Sequence, residues 1–165
     1  MTTRAAPGLL GAVAMTWGVA GFALLLITGL VRLFAVFLES LSYDWELIHG
    51  VVFVINIGLM AWFEGYRGFQ RSYSPRFAER AHALLHSTTP AKTLLAPLVC
   101  MGFVYAPTRR VVATWILTAG IIVVVVVYRL LPQPWRGILD AGVFVGLGWG
   151  LIATIVAVLR LDKET

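Results

Sequence analysis

Apolar residues run almost unbroken over Leu9–Leu30, Leu47–Phe63, Val111–Leu131 and Ile138–Leu159. About 20 such residues are what a helix needs to cross a hydrocarbon core of roughly 30 Å. A membrane barrel would alternate apolar and polar residues over short strands, and the runs here do not alternate. Ile121–Val127 is β-branched, but it lies inside a long uncharged run, so length decides for helix over strand. The pattern predicts an all-α integral membrane protein with four spans, at about residues 9–38, 47–63, 111–131 and 138–159. The first span continues past Leu30 to Leu38 with only Arg32 interrupting. At that length it reaches about 46 Å, so it must tilt or protrude.

Between the spans the pattern changes. Residues 64–92 form the longest polar stretch. Within it, Ser74-Pro75 reads as a helix start, with Ser as N-cap and Pro at the first position. Phe77, Ala81, Leu84 and Leu85 then share one face, as in an amphipathic helix lying on the membrane surface. Residues 94–106 are apolar but too few for an ordinary span, with Pro97 inside and Pro107 behind. Runs of this length are usually re-entrant or interfacial. We expect this segment not to cross, a fifth span being the alternative. Asp44 is the expected N-cap of the second span, with Glu46 in its first turn. Trp45 and Trp62 bracket that span as interfacial anchors.

Composition excludes other classes. Of 165 residues, 59% are hydrophobic and 13% charged, against roughly 45–50% and about 25% in soluble domains. A water-soluble fold is thereby excluded. Cys100 is the one cysteine, so neither an internal disulfide nor a redox pair can form. Arg4 followed by an apolar stretch resembles a secretory leader. The stretch is too long and lacks a small-residue cleavage site, so a retained anchor is expected. No repeat or second domain is evident.

The basic residues then set topology. Without a crossing at 94–106, one side holds Arg4, Arg67, Arg71, Arg76, Arg80, Lys92, Arg109, Arg110, Arg160 and Lys163, and the other holds Arg32, Arg129 and Arg136. With a crossing, Arg109, Arg110, Arg160 and Lys163 change sides, and so do Arg129 and Arg136. The first arrangement obeys the positive-inside rule better. It puts both termini in the cytoplasm, in a bacterial inner membrane.

Several constellations carry candidate chemistry. His49, Asn56 and Glu64 follow one face of the second span. They line a proton or solute path, or else His49 is interfacial, Asn56 bonds a neighbouring helix and Glu64 is solvated. The second reading is the expected one. Tyr66, Arg67, Arg71, Arg76 and Arg80 interleave aromatics with guanidinium groups, which suit bidentate phosphate recognition. Anionic lipid is the expected partner and nucleic acid is not. Gly142, Gly146 and Gly150 form a small-residue zipper for close helix contact, within the monomer or toward a second copy or partner subunit. Arg32 and Asp140 fall at one depth and are expected to pair. Glu79, His82 and His86 have the spacing for a single metal ion, but the polar face of a helix explains them as well, so neither metal nor cofactor is expected. Nucleotide, zinc-protease and nucleophile-elbow motifs are missing.

The expected function is that of a small multi-pass membrane protein without its own chemistry. It would bind anionic lipid or a phosphate-bearing amphiphile and serve as a scaffold or transport component. The alternatives are a membrane enzyme on a lipid or isoprenoid substrate, with Glu64, His82 and His86 as acid–base candidates, and a small oligomeric channel or transporter.

Overall fold

The computed structural model of the chain describes residues 8–164, apart from the side chains of residues 162 and 164. Arg4 and Thr165 lie outside the described residues. Helix α1 covers Leu9–Ser40. Helix α2 is continuous over Leu47–His86. Two short helices follow, α3 (Pro90–Leu94) and α4 (Ala96–Met101). Helix α5 covers Thr108–Tyr128 and α6 covers Trp135–Glu164. The described chain contains four helices long and apolar enough to cross a membrane: α1, α2, α5 and α6.

The second span differs most from expectation. It does not end near Phe63, and no new helix starts at Ser74. Ala61–Tyr73 continues the helix with wide i→i+5 turns, and Ser74–His86 resumes ordinary α geometry. Ser74 caps nothing; its hydroxyl meets the Thr154 hydroxyl at 2.9 Å. Pro75 therefore sits inside a continuous helix. An interior proline loses one backbone bond and collides with the preceding turn, and the widened turns before Pro75 relieve both demands. At the other end, the N-cap of α2 is Glu46, not Asp44. The Glu46 amide donates to His49 Nδ1 at 2.9 Å.

The amphipathic stretch also takes a different place. Phe77, Ala78, Ala81 and Leu84 are buried in the main core with Ala14, Phe22, Ala96, Val99, Cys100 and Val158. That face packs on protein instead of lying on a membrane surface. The segment 94–106 supplies α4 and an irregular tail to the same core. Gly18 of α1 receives the Cys100 sulfur and the Ala96 backbone, and Gly21 receives the Pro97 ring.

Contacts along the helices fix their directions. Gly11 of α1 abuts the Leu85 backbone, while Ser40 abuts Gly137. Thus α1 runs antiparallel to α2 and α6. Along α2, His49 lies by Trp135, Asn56 by Gly142, Ser74 by Thr154 and His82 by Val158. Both sets of numbers rise together, so α2 and α6 are parallel. A crossing between α2 and α5 would make them antiparallel. Helices α3 and α4 instead fold back on the end of α2 and the start of α1. The start of α1 and the end of α6 consequently share one end of the bundle.

Helix α5 stands apart. None of its residues is buried, and the ring contact of Trp115 with Phe103, at 5.1 Å, ties it to the preceding turn.

Candidate functional site

The parallel contact of α2 with α6 gathers most of the polar side chains within the bundle. Its geometry follows from a mismatch of periods. On α2, Glu64, Phe69 and Ser74 recur every five residues; on α6, Gly146, Gly150 and Thr154 recur every four. In an ordinary helix, residues five apart drift off the shared face. The i→i+5 turns of Ala61–Tyr73 bring them back, so each meets one position of α6 in succession.

Glycine is required at these places by close approach. A Cβ at Gly142 would run into the Asn56 amide, and one at Gly150 into the Phe69 ring. At Gly146 a Cβ would lie 2.6 Å from Glu64 Oε2 and 3.1 Å from Glu64 Cβ. The Glu64 side chain thus lies flat on the α6 backbone. Reciprocally, a Cβ at Gly65 would come within 2.9 Å of the Trp149 side chain, so glycine makes room for it there. The Trp149 indole N–H donates to Gln70 Oε1 at 2.8 Å, a pairing that relates two residues absent from the sequence-derived site.

The polar face of the second span separates into different roles. Asn56 donates to the Ile138 carbonyl at 2.8 Å and is buried. His49 is a buried capping residue set edge-on against Trp135. Glu64 is half-buried against Gly146 and is not a solvated end group. No common channel follows from these three positions.

Beside this contact, α2 and α6 enclose a groove of about 740 Å³. Val145, Ile152, Val156 and Ala157 supply an apolar floor, with Trp149 along it. Gln70, Glu79 and Arg160 are its polar lining groups. Arg71 and Arg76 each follow a groove-lining residue in sequence, Gln70 and Pro75, and are exposed, but they do not line the groove themselves.

The arginine segment is therefore divided. Arg67 lies over the Phe63 ring and Arg71 over the Tyr66 ring, each at 5.9 Å. Arg76 bonds the Ser72 carbonyl one turn back. All three are exposed. Arg80 is half-buried and donates to the Cys100 carbonyl at 2.9 Å, with its guanidinium packed on Gly102, whose φ is +85°. Arg80 thus closes the end of α4 and does not join a ligand-facing row. Cys100 itself is shielded, and burial pushes its thiol up to about 12.

The acid–base trio suggested by the sequence does not converge. The His82 ring bonds the Val158 carbonyl at 3.2 Å, and His86 is exposed. Glu64 sits at Gly146, twelve residues before Val158, or about 18 Å along α6. Among the described residues no three His, Cys, Asp or Glu side chains group as metal ligands.

No protein-family model matches the chain, and comparison with curated proteins and with solved structures finds no match. Function is accordingly argued from the geometry of this site.

Proposed function

We propose that the chain is a multi-pass inner-membrane protein that holds an anionic, phosphate-bearing amphiphile, with both termini cytoplasmic. The single observation that carries the reading is the α2–α6 groove, apolar along its floor and lined by Arg160, with exposed Arg71 and Arg76 next in sequence to its lining residues Gln70 and Pro75. A hydrocarbon chain suits Val145, Ile152 and Val156. A phosphate suits the guanidinium groups, which form paired hydrogen bonds with such oxygens. Glu79 and Arg160 at the same place leave room for a headgroup of mixed charge. The cytoplasmic assignment rests on the basic residues Arg71, Arg76, Lys92, Arg109, Arg110, Arg160 and Lys163 gathered at one end.

The test is lipid retention. The protein, purified from membranes into mild detergent, is offered phosphatidylglycerol and phosphatidylcholine of equal chain length, and native mass spectrometry counts what stays bound. Preferential retention of phosphatidylglycerol is expected, and R71Q/R76Q should reduce that preference several-fold. Equal retention of the two lipids by the unmodified protein would overturn the reading.

A further inference from the structure

Helix α6 offers α2 one kind of hydrogen-bonding group. In the middle of a helix every backbone N–H is already used, while each carbonyl keeps a spare lone pair. Side chains reaching the α6 backbone therefore have acceptors before them and no free donors. Those that bond it obey this rule. Asn56 Nδ2 donates to the Ile138 carbonyl at 2.8 Å, and Thr154 Oγ1 donates to the Gly150 carbonyl at 2.8 Å. The His82 ring meets the Val158 carbonyl. Glu64 occupies the position between Asn56 and His82 in this row, laid against the backbone of Gly146 with Oε2 foremost. A carboxylate can only accept, and no N–H or O–H among the described residues donates to this one. A carboxylic acid carries an O–H and can donate.

We propose that Glu64 is a proton-binding site, and that gain or loss of its proton is coupled to closure of α2 on α6. With the proton bound, the side chain fits the glycine notch as a donor. Without it, the charge lies against the α6 backbone at Gly146 with no protein donor to meet it, and the contact must open to water or to a cation to accommodate it. The wide turns of α2 are the element that yields, because they already hold Glu64, Phe69 and Ser74 in an uncommon register.

The surroundings supply no substitute charge at the notch. On α6 the neighbours are Val145, Gly146 and Trp149; the charged residues of that helix flanking Gly146 are Asp140, six residues earlier, and Arg160, fourteen later. On α1, Gly29 and Leu30 face α6 at neighbouring depth, and Arg32 is the charge next along that helix. On α2 itself, Arg67 is held over the Phe63 ring. Helices α3, α4 and α5 pack elsewhere.

Dicyclohexylcarbodiimide, an apolar reagent, tests the proposal on the full chain in lipid nanodiscs. The carboxyl oxygen adds to the central carbon of the reagent while the acid proton moves to a reagent nitrogen, so the reaction consumes the protonated group. Peptide mapping should find the adduct at Glu64, and its rate should fall about tenfold per pH unit above the titration midpoint. Modification confined to exposed Glu39, Glu46 or Glu79, a Glu64 rate independent of pH, or no adduct would each overturn the proposal. Protection of Glu64 by sodium at fixed pH would also overturn it, by identifying a metal-cation site. A second arm reads the coupling. E64Q keeps an N–H donor and should retain the thermal stability of the unmodified protein, whereas E64A should lose several degrees. Equal losses in the two variants would remove the donor role. Arg71 and Arg76 are untouched throughout, so failure here leaves the lipid-binding reading standing, and the converse also holds.

Discussion

Cys100 has zero exposure and lies in the notch made by Gly18. Its thiol is held up to about 12 mainly by burial, with the Arg80 charge acting in the opposite direction. The thiolate is the reactive form, so a raised value postpones reaction to alkaline pH. Native protein at pH 8 should resist iodoacetamide, with labelling complete only after unfolding, as read by intact mass. Rapid modification of the native protein would show that α4 leaves this core. The same scale separates residue type from residue role. An asparagine in an apolar span needs a partner, and that need is visible in the sequence. The identity of the partner, the Ile138 carbonyl, is not, because it lies 82 positions away. Arg80 looks identical to Arg67, Arg71 and Arg76 until Cys100 is brought beside it.

At the scale of elements, α2 carries the main departure from local expectation. A proline after a serine is ordinarily a helix start, and i,i+4 spacing ordinarily means a shared face. Both rules assume ordinary α geometry. Packing against a four-residue repeat on α6 replaces that geometry with wider turns over Ala61–Tyr73. The glycines of α6 give a direct test. Leucine at Gly146 must displace the Glu64 side chain, whereas a Cβ at Gly148 would meet only Leu30 Cδ2, at 4.0 Å. Overpacking of a closed contact costs about 1–3 kcal/mol. Gly146→Leu should therefore lower thermal stability in detergent clearly, and Gly148→Leu should change it little. Equal effects would mean that α2 and α6 do not close on these glycines.

For the whole molecule, parallel α2 and α6 require the chain to return along the bundle between them, and α5 is the helix between them long and apolar enough to do so. Lys163 and Leu130 are both exposed, at opposite ends of the bundle. Single cysteines at these positions, in a Cys100→Ala background, should react with an impermeant maleimide from opposite faces of a sealed membrane vesicle. Labelling of both from one face would refute the four-crossing arrangement. Helix α5 shows how little the bundle itself demands of a long apolar helix. Beyond Arg110 it is almost wholly apolar, with no residue buried against protein, and a helix satisfies its backbone internally without neighbours.

Length and hydropathy by themselves determined the helical class, the four long apolar segments and the inability of residues 94–106 to form a fifth of similar length. Those properties depend on each segment's own backbone and side chains, and a bilayer-length apolar helix needs no partner to be recognised. Tertiary structure decided the rest. Whether the amphipathic face of Ser74–His86 met lipid or protein depended on α4 and the glycines of α1 arriving beside it. Whether Glu64 was solvated or pressed on a backbone depended on where α6 placed Gly146. These outcomes follow from packing between residues distant in sequence, and local periodicity carries no record of a register that exists only once two helices touch.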